Sequence, residues 1–209
     1  MRGGALRGTV TQPRGISQCP CYTMVMEDPI VFTVDGVMTP EECAALVARI
    51  EELGPEAAPI TTPRGFVMRP DIRNNTRVMF DDHALASELF GRLQPELPRR
   101  MRGLDAVGAN ERFRCYRYEP GQRFAPHFDG AFRRDVREVS QLTLMVYLNE
   151  GFSGGETEFH DLGQKITPRT GMALVFEHRV LHEGCAVTGG VKYVLRSDVM
   201  YRVPADAAG

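Results

Sequence analysis

Residues 118–129 read Tyr-Glu-Pro-Gly-Gln-Arg-Phe-Ala-Pro-His-Phe-Asp, which predicts two strands joined by a Pro-Gly turn. Side chains of a strand alternate between its faces at ~3.3 Å per residue, so His127 and Asp129 point the same way and Phe128 points away. His182 follows Asp129 after 53 residues, on a different predicted element. Two imidazoles and one carboxylate leave part of a metal's coordination sphere open, as in mononuclear non-haem Fe(II) sites.

Lys192 lies ten residues after His182 and adds a cation to this predicted metal site. A lysine ammonium about 4 Å from a carboxylate gains on the order of 4 kcal/mol before desolvation, at an effective dielectric of about 20. The set therefore predicts an iron site with a slot for a dicarboxylic acid. Arg196 shares a strand face with Lys192 and is the second candidate for anchoring that acid, or for facing a substrate.

Two other histidines compete with His182 for the third metal position. His178 precedes His182 by four residues, as in a helical His-x-x-x-His pair, but no Glu follows His178 and the flanking residues are typical of strands. His160 follows a predicted strand and is expected in a loop. We favour His182, because Lys192 follows it.

From residue 111 onward the chain is a series of short strands separated by turns, with no convincing helix. The predicted strands are Arg112 to Glu119, Arg123 to Phe128, Val139 to Asn149, Glu156 to Phe159, Met172 to His178 and Val191 to Val203. Many short strands favour a sandwich or a barrel, and jelly rolls of the cupin kind hold ligands at their mouth. We therefore predict a mainly β fold with a jelly-roll core.

The part of the chain before residue 111 is predicted to support this core with helices. A strand is expected over residues 30–34, and Thr39 is expected to cap a helix that follows it. A second strand is expected over residues 77–80, after which Asp81 or Asp82 caps a second helix. The predicted fold class is thus mainly β, with a jelly-roll or cupin-like core and flanking N-terminal α-helices.

Four stretches describe the expected domain organisation. Residues 1–26 carry arginines without acids and no periodic apolar pattern, so they are a disordered arm or precede a natural start at an internal methionine. Residues 27–110 form the supporting region of the same globular unit. Residues 111–203 form the domain with the metal site, and residues 204–209 form a tail.

Composition sets limits on function. The chain has 209 residues, 43% of them hydrophobic and 25% charged, with a net charge of −2, which argues against bulk capture of nucleic acid. Basic clusters over residues 99–102 and 133–137 are typical of solvated surfaces. Five scattered cysteines indicate reduced thiols. No apolar run approaches the ~20 residues of a membrane span, and we expect a soluble, cytoplasmic protein.

Four motifs carry a resemblance to a known family. They are the stretch over residues 118–129, Thr-Leu-Met-Val-Tyr-Leu over 143–148, Gly-Gly-Glu-Thr over 154–157, and the stretch from His182 to Lys192. In this order and at these spacings, residues 112–203 closely resemble the catalytic domain of the prolyl 4-hydroxylase family of iron(II)- and 2-oxoglutarate-dependent dioxygenases. The resemblance implies a double-stranded β-helix core.

The resemblance also implies roles for individual residues. His127, Asp129 and His182 match the iron ligands, and Lys192 matches the basic residue that holds the distal carboxylate of 2-oxoglutarate. Tyr118 and Thr143 match positions whose hydroxyls help to hold the same cosubstrate. Tyr147 shares a strand face with Thr143 and is the alternative hydroxyl donor.

The reaction implied by the resemblance uses Fe(II), O2 and 2-oxoglutarate, with ascorbate as the expected reductant. It releases succinate and carbon dioxide and hydroxylates a C–H bond of a peptidyl prolyl residue or a small molecule. The loop over residues 130–138 lies beside the predicted metal and is the best candidate for contacting that substrate, although its arginines could simply pair with its own acids. We expect a monomer or homodimer.

Two other functions use the same residues differently. A nucleic-acid demethylating dioxygenase would share the metal chemistry, with the basic clusters as its support. It would also require aromatic residues near the mouth to stack on a flipped base. A cupin-like module could bind a metal and a ligand without turnover.

Overall fold

The computed structural model describes residues 28–62 and 65–205, and antiparallel strands are the commonest regular structure among these residues. The helices are α1 (Pro40–Leu53) and α2 (His83–Leu93), with a 3-10 turn at His160–Leu162. The strands are β1 (Val31–Val34), β2 (Glu56–Ala57), β3 (Ile60–Thr62), β4 (Gly65–Val67), β5 (Thr76–Asp81), β6 (Arg100–Met101), β7 (Leu104–Ala109), β8 (Arg112–Tyr118), β9 (Phe124–His127), β10 (Glu138–Tyr147), β11 (Ser153–Gly154), β12 (Thr157–Phe159), β13 (Gln164–Ile166), β14 (Ala173–Glu177), β15 (His182–Gly184), β16 (Val187–Gly189) and β17 (Lys192–Arg202).

Two sheets form the core. The larger sheet has the order β1-β14-β10-β17-β8-β5-β2, with β7 paired to the far end of β17 and β6 paired to β7. The smaller sheet has the order β13-β12-β15-β9. Both sheets contribute residues to one cavity, and the fold is the jelly-roll double-stranded β-helix. The predicted fold class is therefore confirmed.

The N-terminal region is built into the larger sheet. Strand β1 pairs with β14 at one side and β5 pairs with β8 toward the other. The helices bury one face each, including Ile50 of α1 and Leu89 of α2, within the same cluster as Leu144 and Leu195 of the sheet. Burying such a side chain stabilises the fold by about 1.5–3 kcal/mol relative to leaving it exposed. The supporting region and the core thus share one hydrophobic interior.

Both helices begin where the sequence indicated. The Thr39 side chain accepts from the Glu42 backbone, while the Glu42 carboxylate accepts from the Thr39 N–H, which completes a capping box ahead of Pro40. For α2 the cap is Asp82, whose carboxylate accepts from the Leu85 N–H at 3.0 Å. The choice between Asp81 and Asp82 is thereby resolved.

The six strands predicted after residue 111 all occur, with ends shifted by up to two residues. The strands that were not predicted are β2, β6, β7, β11, β13, β15 and β16 and the β3–β4 hairpin. Most of these are only two or three residues long or contain glycine, so no alternating pattern marks them.

Some predictions concern residues that the structure does not describe. The predicted arm over residues 1–26, with Cys19 and Cys21, and the last residues of the predicted tail lie outside the described ranges. Within the described ranges, Cys43, Cys115 and Cys185 are free thiols. No helix there combines the length and apolar character that a bilayer span requires.

Candidate metal centre

His127 and His182 are brought together by strand pairing in the smaller sheet. His127 ends β9, His182 begins β15, and the two residues lie directly opposite each other in the antiparallel register. Asp129 lies two residues beyond the end of β9, where its backbone N–H donates to the His178 carbonyl at 2.9 Å. The loop after β9 therefore returns the carboxylate to the same side as the imidazoles.

The three side chains form a cluster with the dimensions of a metal site. The Asp129 carboxylate oxygens lie 3.9 Å from Nε2 of His127 and 3.7 Å from Nε2 of His182. All three potential ligand atoms lie within 4.8 Å of one another. Two imidazole nitrogens and one carboxylate oxygen at this separation suit a divalent first-row ion.

Backbone carbonyls fix the orientation of both rings. His127 Nδ1 lies 2.9 Å from the Ala125 carbonyl, and His182 Nδ1 lies 3.0 Å from the Val180 carbonyl. A carbonyl only accepts, so each Nδ1 carries the proton and each Nε2 keeps its lone pair for a metal. This arrangement is the usual outer contact of a metal-binding histidine.

Electrostatics favour the charge states that a metal needs. Burial, reinforced by the neighbouring His182, lowers the pKa of His127 to about 4, and burial also lowers the pKa of His182. Burial opposes ionisation of Asp129, yet Arg196 and the hydrogen bond from Thr143 hold the pKa of that carboxyl well below its usual range. Neutral imidazoles and an ionised carboxylate are the forms that bind Fe(II).

His178, the competing histidine, has no nitrogen free for a metal. Its Nε2 lies 2.7 Å from the Ser140 hydroxyl and its Nδ1 lies 2.9 Å from the Thr143 hydroxyl. The structure therefore places His182 with His127 and Asp129, and places His178 behind them. His160 lies apart, with Nε2 3.1 Å from the Glu183 carboxylate.

Lys192 lies at the inner end of the cavity that the cluster lines. The side chain is 2% exposed, and its ammonium donates to the Gly155 carbonyl at 2.5 Å. Nζ also lies 5.3 Å from the centre of the Tyr118 ring. No carboxylate pairs with this lysine within the described residues, and burial lowers its pKa to about 8. An isolated buried cation of this kind is suited to an anionic ligand.

Gly155 is a site residue whose role the sequence did not show. Its φ of +71° is unfavourable for residues with side chains, and a Cβ there would lie 3.1 Å from Lys192 Cδ and 3.0 Å from a Val187 methyl. The glycine lets its carbonyl approach the lysine. The Gly-Gly-Glu-Thr motif, named above only as part of the family resemblance, thus positions Lys192.

The three predicted hydroxyl donors lie in different places. The cavity lined by both the metal cluster and Lys192 is called the inner cavity below. Tyr118 lines it, as expected for a residue that contacts a bound acid. Thr143 is fully buried and donates to Asp129 Oδ2 at 2.6 Å, so its hydroxyl faces the metal ligand. Tyr147 is also fully buried, with its hydroxyl 2.7 Å from that of Thr157. Thr157, rather than Thr143 or Tyr147, lines the cavity beside Lys192.

Arg196 lies near the metal cluster rather than near Lys192. Its Nη2 is 3.1 Å from Asp129 Oδ1 and 3.3 Å from Asp198 Oδ1. It lines both the inner cavity and a second, outer cavity. Of its two predicted roles, this position suits the substrate-facing one.

The predicted substrate loop over residues 130–138 has much of its charge internally compensated. Arg134 pairs with Glu111 and with Glu138, and the Asp135 carboxylate accepts from the backbone of the loop itself. Gly130, Ala131 and Phe132 at the start of the loop line the outer cavity. Only this first part of the loop lies against the metal cluster.

Comparison with known proteins agrees with this geometry. Residues 113–197 match the family model of the 2OG-Fe(II) oxygenase superfamily, where 2OG is 2-oxoglutarate. Prolyl 4-hydroxylase 1 of Arabidopsis thaliana is 25% identical, over 81% of this chain and 68% of that protein. Residues 113–197 are thus similar to the 2OG-Fe(II) oxygenases, and matching relatives bear the name prolyl 4-hydroxylase.

Two further relatives show how far the likeness extends. A protein of Acanthamoeba polyphaga mimivirus named "Putative prolyl 4-hydroxylase" is 34% identical, over 40% of this chain and 42% of its own length. This chain therefore spans less than half of that relative. The crystal structure of a viral collagen prolyl hydroxylase from Paramecium Bursaria Chlorella virus-1 with 2OG is 26% identical, with a TM-score of 0.58, and the match covers 81% of this chain and 95% of that one.

Proposed function

We propose that this protein is a 2OG-Fe(II) oxygenase that hydroxylates a C–H bond of a peptidyl prolyl residue or small molecule, with release of succinate and carbon dioxide. The observation that carries the proposal is a single cavity that joins the open His127–Asp129–His182 cluster to the buried, uncompensated Lys192. One end of the cavity suits Fe(II) and the other suits the distal carboxylate of 2-oxoglutarate. Bound iron would supply the activation of O2.

The protein's own part is to bind, orient and exclude water. Lys192 supplies the charge for the distal carboxylate, while Tyr118 and Thr157 add hydroxyls along the same cavity. The cavity is otherwise lined by Val194 and Met145 and by aromatic rings, which limit access of water to the reacting groups. No side-chain nucleophile or general base is required for this chemistry.

Anaerobic titration with 2-oxoglutarate tests the proposal. We expect the Fe(II)-loaded protein to develop a metal-to-ligand charge-transfer absorption band as 2-oxoglutarate binds. Asp129→Ala should abolish the band, whereas His160→Ala, a change outside the cluster, should leave it intact. Absence of the band from the wild-type protein would exclude both a hydroxylase and a demethylase that uses the same chemistry.

Succinate formation in air distinguishes an enzyme from a non-catalytic binding module. A hydroxylase should form succinate slowly without substrate, and faster when a substrate couples the reaction. A mass-shift screen for the gain of one oxygen should then find the substrate among prolyl peptides and metabolites. A charge-transfer band with no succinate would indicate the binding module.

The two basic clusters predicted from the sequence give little support for a nucleic-acid substrate. Arg100 pairs with Asp105, Arg102 with Glu177 and Arg134 with Glu111, so the predicted basic clusters are partly neutralised. The cytoplasmic location, ascorbate as reductant and the monomeric or dimeric state stay predictions.

A further inference from the structure

Four arginines line the outer cavity, which shares part of its lining with the inner cavity but is not lined by Lys192. They are Arg73, Arg77, Arg114 and Arg196, and the same cavity is lined by His127 and Asp129. Three aromatic residues, Phe124, Phe128 and Phe132, contribute apolar surface. A ligand in this cavity would therefore lie against both the metal cluster and a group of positive charges.

Strand register places three of these arginines in a row. Arg114 of β8 lies directly opposite Arg196 of β17. Arg77 of β5 lies opposite Tyr116, which shares a face with Arg114 two residues away along β8. Like charges placed together across strands destabilise a sheet, so a row of three arginines has to be offset by something else.

The protein itself supplies too little negative charge for that offset. Within the described residues, the ion pairs of this group involve only Asp129 and Asp198, through Arg196 and, at 3.5 Å, Arg114. Arg73 and Arg77 have no carboxylate partner there. The Asp129 charge would in addition be shared with a bound metal. The outer cavity therefore has an excess of positive charge.

Buried hydrogen-bond donors are left without partners in the same place. Arg73 Nη2, Arg114 Nη1 and Arg196 Nε are buried and make no hydrogen bond within the described structure, although Arg114 Nη1 lies 3.5 Å from an Asp198 oxygen. Asp198 Oδ1 is the one side-chain acceptor among the described residues in the same condition. Such donors cost stability unless something accepts from them. Burial and the neighbouring arginines also lower the pKa of Arg77, which agrees with mutual repulsion in the group.

Arg73 is held in place rather than free to swing into solvent. It is 4% exposed, its Nε donates to Asn75 Oδ1 at 2.7 Å, and its guanidinium carbon lies 4.3 Å from the Tyr116 ring centre and 4.5 Å from that of Phe124. The positive charge is therefore fixed near the metal cluster in the absence of any ligand. Pre-organised charge of this kind is typical of a binding site.

We propose that the outer cavity binds a carboxylate carried by the substrate, close to the C–H bond that is hydroxylated. This inference rests on the proposed function and adds a substrate class to it, namely acids. The carboxylate belongs to a free acid or to an acidic side chain beside the reacting residue in a peptide. Arginine binds carboxylates through paired N–H donors, which suits both sources.

Calorimetry with matched acids and amides tests this inference. The Zn(II)-loaded protein with 2-oxoglutarate cannot turn over and can be titrated with N-acetyl-L-proline or its primary amide, and with a Pro-Glu peptide or its Pro-Gln counterpart. In one of these two pairs, we expect the acid to bind at least about tenfold more tightly than the matching amide, as for a charge-assisted contact. The pair that shows the preference identifies the source of the carboxylate.

Variants locate the preference in the cavity. Arg77 is half-buried and makes no ion pair within the described structure, so Arg77→Met should fold and should weaken binding of the acid about 10- to 100-fold while leaving binding of the amide unchanged. Arg77→Lys should recover part of the loss. Arg112→Met is the matched control, because Arg112 lies on the same strand as Arg114, pairs with Asp81 and lines neither cavity.

Two results would overturn the inference. Acids and amides could bind equally or not at all at millimolar concentration, or Arg77→Met could leave the preference for the acid intact. Neither result bears on the charge-transfer band of the Fe(II) protein, so failure of the carboxylate site can be distinguished from failure of the proposed function. Conversely, a preference for acids in a protein without that band would support the site and reject the reaction.

Discussion

Polar groups on the two sides of the Asp129 carboxylate differ in whether they have hydrogen-bond partners or counter-ions. On the cavity side, Nε2 of His127 and of His182 makes no hydrogen bond within the described structure, and Lys192 has no counter-ion there. On the rear side the hydroxyls and the ring are all paired. Thr143 Oγ1 bonds to Asp129 at 2.6 Å and to His178 at 2.9 Å, and His178 in turn bonds to Ser140 at 2.7 Å.

This difference separates binding from positioning. Buried polar groups without partners cost stability, so a cluster of them at one place indicates a site that a ligand completes. A fully paired network instead fixes the orientation of the groups it contacts. We therefore expect changes on the cavity side to alter ligand binding strongly, and changes on the rear side to alter stability and ligand binding more modestly.

The largest contrast is expected between two histidines four residues apart. His182→Ala removes a metal ligand and should weaken Fe(II) binding by more than about 100-fold, whereas His178→Ala removes a rear contact and should weaken it by about tenfold or less. Anaerobic Fe(II) titration of the two variants measures both affinities. The reverse order would show that His178 is the third ligand and that the cluster is misassigned.

The next contrast concerns charge at the inner end of the cavity. Burial lowers the pKa of Lys192 to about 8, and a bound dianion would raise it. Below about pH 8 the ammonium is already present, so affinity for 2-oxoglutarate should be constant there. Above that pH, binding must take up a proton, and the dissociation constant should rise up to about tenfold per pH unit.

A variant without the ammonium is the control for this pH dependence. Lys192→Met should bind 2-oxoglutarate about 10- to 100-fold more weakly than the wild type at neutral pH, because one charge-assisted contact is lost. Its remaining affinity should not change across the same pH range. Calorimetry on Zn(II)-loaded protein gives both curves, and parallel curves for the two proteins would assign the titration to another group.

The residues on the cavity side of Asp129 could be predicted from the sequence, because spacing along the chain and short motifs mark them. His127 and Asp129 are two residues apart, and strand alternation predicted them on one side. The structure has them on one side, although β9 ends at His127 and the loop after it carries Asp129. The ligand role of His182 and the cosubstrate role of Lys192 were inferred from family motifs, and the structure places both residues in the same cavity as the first pair. The fold class followed from the run of short strands.

The arginine group could not have been found by the same reasoning. Arg77, Arg114 and Arg196 lie on three strands, and only the register between those strands puts them side by side. Arg73 belongs to the N-terminal region, which its sequence pattern marked only as support. The position of Thr143 behind Asp129 could not be predicted either, because alternation along a strand gives the face on which a side chain lies and not its position relative to the cavity.

The smallest effect is expected on the rear side, at Thr143. Thr143→Val keeps the shape but removes the hydroxyl, which leaves one oxygen of Asp129 and one nitrogen of His178 without that partner. The free energy of unfolding should fall by about 1–3 kcal/mol, and Fe(II) affinity by about tenfold. Denaturant titration and anaerobic Fe(II) titration measure the two quantities, and Thr143→Ser should retain most of both. Weaker 2-oxoglutarate binding at unchanged iron affinity would instead mean that this hydroxyl contacts the cosubstrate, as the family resemblance implied, and the division between the two sides of Asp129 would fail at that residue.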